Sequence, residues 1–109
     1  MQLARVVEQS SVSVIITNTE GKIEYVNSRF AQVTGYTVDE AIGLNIHILN
    51  SGRQSSAMYQ ELWETIQRGE AGRGEFCNRK KNGELDWAAA TITPIFNARG
   101  KITHYVALE

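Results

Sequence analysis

The sequence predicts an α+β fold built on an antiparallel sheet, and three observations predict it. β-Branched segments bounded by turn signals open the chain, and three more strand-like segments close it. Between them lies a stretch whose apolar residues recur at the helical period. Strands kept apart from helices in this way favour antiparallel pairing over alternating βαβ units. At 109 residues, the chain is long enough for one domain with a single modest core.

The elements follow in order. In residues 1–10, Leu3, Val6 and Val7 fall at helical spacing among Gln2, Arg5 and Glu8. This pattern predicts a short amphipathic cap helix ahead of the domain proper at 11–109. The β-branched run 12–17 predicts a strand, and the turn at 18–22, with Gly21, predicts a hairpin into a second strand at 23–26. Asn27 is a good N-cap for a helix over 28–33, which Gly35 can end in a left-handed conformation. Thr37 and Glu40 have the spacing of a capping box for a second short helix, about 38–42.

Residues 43–52 read as irregular, with one turn near 46–49. A clearer helix spans 56–68, where Tyr59, Leu62, Trp63 and Ile66 share one face that must pack on something. A strand over 74–80 leads to Lys81-Asn82-Gly83-Glu84, the signal of a tight hairpin. The next strand runs 85–96 and contains Pro94, which belongs at a bulge, a strand end or an edge because it donates no backbone hydrogen bond. A turn at 97–100 precedes the last strand, 102–108.

Composition narrows the function. Apolar residues are 42% and charged residues 21% of the chain, as in an ordinary globular domain. The 11 Lys and Arg balance 12 Asp and Glu, so no net field draws the chain to nucleic acid or an anionic membrane. A single cysteine, Cys77, excludes an internal disulfide and suits a reducing cytoplasm. By strand alternation Cys77 faces away from Phe76 and Asn78, as an inert half-buried residue. No apolar run approaches the roughly 20 residues of a membrane span, and the expected location is cytoplasmic. His47 and His104 lack ligand-type neighbours, so no metal site is expected. Gly69, Gly72 and Gly74 follow a helix and read as loop glycines instead of a phosphate cradle. Arg79-Lys80-Lys81 reads as a solvated turn, and no nucleophile and base set is visible, so no enzyme activity is expected.

Taken together, Val26-Asn27, Phe30, Thr34-Gly35-Tyr36, Glu40 and Gly43 resemble the PAS family. The later Lys81-Asn82-Gly83-Glu84, Trp87, Pro94-Ile95 and Gly100-Lys101-Ile102 extend the resemblance over nearly the whole chain. It implies a five-stranded antiparallel sheet with helices on one face, enclosing a pocket for flavin, heme, a small metabolite or nothing. It also implies a sensory module joined to an effector domain such as a histidine kinase, a diguanylate cyclase or a regulator. Heme is disfavoured, because the 56–68 helix has no histidine to serve as axial ligand.

Within that family, the run from Gly43 to Asn50 is similar to the cofactor stretch of the light-sensing LOV subfamily and places Asn45 and Ile46 at the cofactor. Ile46 stands where that subfamily has its photoreactive cysteine, and a side chain without a thiol forms no flavin adduct. His47 replaces a phosphate-binding arginine, Ala88 a flavin-contacting asparagine, and Glu109 falls near the signal-relaying glutamine. Ile48-Leu49, Tyr59-Gln60, Leu62-Trp63 and Asn78-Arg79 with Lys81 resemble the redox-sensing PAS domains of nitrogen-fixation and methane-oxidation regulators. The likeness implies FAD or FMN bordered by Trp63 and Asn78. A carboxamide offers donor and acceptor together to the ring edge, and an indole a flat apolar wall. Taken singly, Trp63 reads as a core residue and Asn78 as a half-exposed strand residue. Two alternatives stand beside the flavin sensor: a cofactor-free module for dimerisation and signal relay, and a small-metabolite sensor. The expected partner is a second copy, held through the N-terminal helix and the sheet.

Overall fold

A computed structural model describes residues 11–53 and 55–109; the expected cap helix over 1–10 lies outside the described residues. Among the described residues nine elements follow one another: β1 (Val14–Asn18), β2 (Ile23–Val26), α1 (Ser28–Thr34), α2 (Val38–Ala41), a 3-10 turn (Ile46–Leu49), α3 (Ser56–Gln67), β3 (Gly72–Arg79), β4 (Leu85–Phe96) and β5 (Ile102–Leu108). The strands form one sheet in the order β2-β1-β5-β4-β3, antiparallel at every pairing. Strands from the two ends of the chain therefore meet at its centre. The antiparallel α+β architecture read from the sequence is the one observed.

One turn device appears twice. In Asn18-Thr19-Glu20-Gly21-Lys22, the Asn18 side-chain oxygen accepts from the Glu20 and Lys22 amides, each at 2.9 Å. In Asn97-Ala98-Arg99-Gly100-Lys101, Asn97 accepts from Arg99 at 2.9 Å and Lys101 at 3.0 Å. Gly21 and Gly100 take φ of 87° and 79°, where a side chain would be strained. The β3–β4 hairpin differs from expectation. Only Gly83 has a positive φ, whereas a two-residue Asn-Gly turn needs one at both positions, so Lys81, Asn82 and Gly83 form a three-residue loop between paired Lys80 and Glu84.

Caps set the helix ends. Asn27 caps α1 by accepting from the Phe30 amide, Gly35 closes it in the left-handed conformation, and Thr37 with Glu40 completes the capping box of α2. Asn27 does more than cap. It is fully buried, its Oδ1 also accepts from the Val14 amide at 3.0 Å, and its Nδ2 donates to the Val12 carbonyl at 2.9 Å. The first helix is thereby fastened to the first strand.

The sequence-based boundaries shift where packing overrides them. Gly72 is a strand residue rather than a loop residue, since it pairs with Ile92, and Gly74 pairs with Ala90 as the strand expected over 74–80 requires. A Cβ on Gly72 would lie 2.5 Å from Leu62 Cδ1, so the bare backbone lets α3 rest on the start of β3. Pro94 lies beyond the last β3 partner, in the part of β4 paired only with β5. Its missing donor therefore faces a side with no neighbouring strand, an edge position as expected. Lys81 and Lys80 of the basic turn pair with Glu40 and Glu84, so this hairpin is tied to the helical side through Lys81.

Registers and alternation put Ile15, Thr17, Tyr105, Ala107, Ile92 and Phe76 on one face, beneath the helices. The closed part of the core gathers Ile15, Ile23, Val26, Phe30, Ala41 and Leu49 with Ala107. On the opposite face Cys77 pairs with Trp87 across the ladder. Cys77 is 1% exposed, more deeply buried than the half-buried thiol expected, whereas Trp87 is 63% exposed.

Candidate functional site

Toward β3 the same inner face is hollow. Its side chains there include Ala88 and Ala90, which rise too little from the sheet to reach the helix above. The gap forms a cavity of about 370 Å³, within the range of small-molecule sites. Helix α3 forms one wall with Tyr59, Leu62, Trp63 and Ile66, the face read from the sequence as needing a partner. The 3-10 turn contributes Ile46, His47 and Leu49, and the sheet contributes Phe76, Asn78, Tyr105 and Glu109.

The walls are braced by aromatic contacts. Trp63 meets Tyr105 edge-on, with centroids 6.0 Å apart and planes at 87°, and Tyr59 leans on Phe76 at 6.3 Å. Burial pushes the phenols of Tyr59 and Tyr105 above their ordinary pKa, so both remain protonated hydrogen-bond donors at neutral pH.

The polar end is built by Asn78 and Glu109. Leu108 pairs with Thr91, which sets Glu109 next to Ala90, and the small side chains of β4 let Glu109 reach across to β3. Asn78 Nδ2 donates to both carboxylate oxygens at 3.3 Å. Burial raises the Glu109 carboxyl pKa above the usual range; the Asn78 hydrogen bond opposes this, and the neighbouring charge of Asp86 adds to it. No cation pairs with Glu109 among the described residues.

Of the four residues the resemblance singled out, Trp63, Ile46 and Asn78 come together on this cavity. Asn45 stands apart. It is exposed, its Oδ1 caps the 3-10 turn through the His47 amide at 3.0 Å, and its Nδ2 donates to the Glu20 carbonyl at 3.1 Å. Its polar atoms are committed to holding the turn against the β1–β2 loop, so its side chain aims Ile46 and does not line the cavity. In the sequence, Glu109 stands out only as a departure from a subfamily pattern. The period-2 alternation through Tyr105 and Ala107 already puts it on the inner face. The two histidines are separate: His47 lines the cavity, and His104 contacts Glu24 and Thr103, each at 2.9 Å. Among the described residues no group of three or more His, Cys, Asp or Glu could hold a metal ion.

A five-stranded antiparallel sheet with helices over a cavity, lined by an indole and a carboxamide, defines the class of small α+β domains built around a ligand-sized cavity. The model of the PAS fold matches residues 2–108, and the chain belongs to the PAS family. It is similar to the nitrogen fixation regulatory protein of Klebsiella oxytoca, with 33% identity over 103 residues, covering 94% of this chain and 21% of that protein. It is also similar to the aerotaxis receptor of Escherichia coli K12, with 32% identity over 93 residues, covering 85% of this chain and 18% of the receptor. This chain thus spans about a fifth of the length of these relatives. Among solved structures, an RNA-binding light-oxygen-voltage receptor superposes with a TM-score of 0.89 at 24% identity, covering 97% of this chain and 30% of that one, which shows the shared fold. The chain is a PAS sensory domain of the kind found in regulators, kinases and aerotaxis receptors.

Proposed function

We propose that this domain senses redox state through a flavin, FAD or FMN, held in the cavity between α3 and the sheet. The observation that carries the reading is the convergence of Trp63 and Asn78 on one cavity from two different elements. In this reading Trp63 supplies an apolar wall to the ring system, and Ile46 closes the cavity from the 3-10 turn. Asn78 supplies hydrogen bonds at the ring edge. Bound flavin would supply reversible electron transfer, with protonation states that differ between its forms. Asn78 and Glu109 would register that difference, because their mutual hydrogen bonds are long and readily exchanged for others. A shift at Asn78 would move β3 against its neighbours. Such a switch requires a differential interaction of only a few kcal/mol, on the order of 1–5.

Supporting the sensory reading further, the outer face of the sheet leaves Trp87, Leu85 and Leu108 substantially exposed. A second copy, engaged through this face and the N-terminal segment, would cover them, and an effector domain of a longer protein would read the change. Among the described residues no helix is long and apolar enough to cross a membrane. In this reading the domain works in the cytoplasm, without catalytic activity of its own.

The test is the visible absorption spectrum of the protein purified without added cofactor, with any chromophore released by denaturation and identified. The expected result is a flavin spectrum that is diminished or shifted in Asn78→Ala. Protein that is colourless and takes up neither FAD nor FMN on reconstitution would sink the proposal, and a thermal shift with an uncoloured metabolite would favour a metabolite sensor.

A further inference from the structure

Gly72, at the start of β3, is buried on the inner face of the sheet. Unlike Gly69, whose φ is 91°, it has no positive φ, so its backbone conformation is open to any L-residue. What excludes a side chain is the helix above. A Cβ on Gly72 would stand 2.5 Å from Leu62 Cδ1 and 3.3 Å from Ile66 Cγ2, and at the first of these distances something must move.

Leu62 and Ile66 lie one turn apart on α3, and both line the cavity. They differ in freedom. Ile66 is β-branched, with one strongly preferred rotamer in a helix, and is 3% exposed. Leu62 is half-buried, its terminal methyls can turn, and the open space beside it is the cavity. A methyl group on Gly72 therefore drives Leu62 toward the cavity, whereas the bare backbone lets Leu62 settle on the strand. We infer that Gly72 is a positioning residue for the ligand: it seats Leu62 against β3 and so keeps the cavity wide enough for a planar ring system. This rests on the flavin reading, and it adds what sets the width of that site.

The floor of the cavity shows why the width is sensitive here. Gly72 pairs with Ile92, and the next inner pair on the same two strands is Gly74 with Ala90. Both Ile92 and Ala90 line the cavity. Ala90 leaves height by its own small size, whereas at Ile92 the floor carries a large side chain, and the height depends on how far the helix residues opposite withdraw. At that row one added methyl group crowds an apolar surface that is already filled.

The experiment measures riboflavin affinity by fluorescence quenching for the wild type, Gly72→Ala, Leu62→Ala and the double variant, with folding checked by circular dichroism. Gly72→Ala should bind at least about tenfold more weakly than the wild type, the scale of one methylene in an apolar pocket. The double variant should match Leu62→Ala, because no leucine methyl remains to be displaced. A glycine that served packing alone would show no such rescue of binding. Wild-type affinity in Gly72→Ala, or a loss that persists on the Leu62→Ala background, overturns the inference. Should Gly72→Ala fail to fold, the double variant and Leu62→Ala decide between them: equal affinity upholds the inference, and a further loss overturns it. Failure of riboflavin to bind the wild type counts against the flavin reading itself. Gly72 is then judged with dissolved xenon, which enters apolar cavities and is followed through the methyl resonances of the lining residues. Weaker uptake by Gly72→Ala than by the wild type upholds its role, and equal uptake overturns it.

Discussion

The domain has two halves that use the same materials to different ends. Around β1, β2 and α1 the inner face is filled by Ile15, Val26 and Phe30, and the polar group among them, Asn27, has both ends of its carboxamide engaged. Between β3 and α3 the sheet carries alanines instead, and the carboxamide of Asn78 makes only long contacts to Glu109. The first asparagine holds the chain in place. The second has hydrogen-bonding capacity left over beside a cavity, whereas the first has none to spare.

Substitutions in matched pairs sharpen this contrast. The largest effect is expected at Phe30, where Phe30→Ala in the filled half should cost about 3–5 kcal/mol by urea denaturation. Trp63→Ala, beside existing empty space, should cost about 1–2 kcal/mol, because one side of the indole borders the cavity. Equal losses would mean that the two halves pack alike. Next come the two carboxamides. Asn27→Ala strands the buried amides of Val14 and Phe30 and should cost about 3 kcal/mol, whereas Asn78→Ala should cost less than about 1 kcal/mol. A severe loss at Asn78 would make it a structural residue.

The twin turns form a third pair. Gly21→Ala and Gly100→Ala both force an L-residue into the left-handed region, at about 1–2 kcal/mol each. A Cβ on Gly21 also meets the Asn45 side chain at 3.3 Å, whereas at Gly100 it meets open space. Gly21→Ala should therefore melt lower, and identical melting would show that the β1–β2 loop yields without resistance. The smallest effect is the pH dependence of stability. The folded pKa of Glu109 lies above its unfolded value, so its contribution is present below the ordinary glutamate range and lost as pH rises through the raised folded value. Denaturation of wild type and Glu109→Gln should converge at low pH and diverge above that window, with the glutamine variant the more stable.

Much of this was legible in the sequence because it is locally determined. Asn27, Gly35 and the Thr37–Glu40 capping box act within a few residues of themselves, and the face of α3 is set by its own period. What could not be read depends on register. That Gly72 belongs to a strand follows from its pairing with Ile92, and the hairpin loop length follows from the pairing of Lys80 with Glu84. The approach of Glu109 to Asn78 joins residues 31 apart across an intervening strand. Composition carries no trace of that distance. Asn45 shows the converse, since a family resemblance marked it for the ligand while its local geometry commits it to a turn.

The reciprocal pairing of Ser13 with Glu109 bears on how a signal could leave the domain. Glu109 has its side chain at the cavity and its backbone clasped to the first strand, so any motion there pulls on both ends of the folded unit together. The approach to residue 13 and the exit at residue 109 are thus fastened side by side, next to the cavity wall that Glu109 lines.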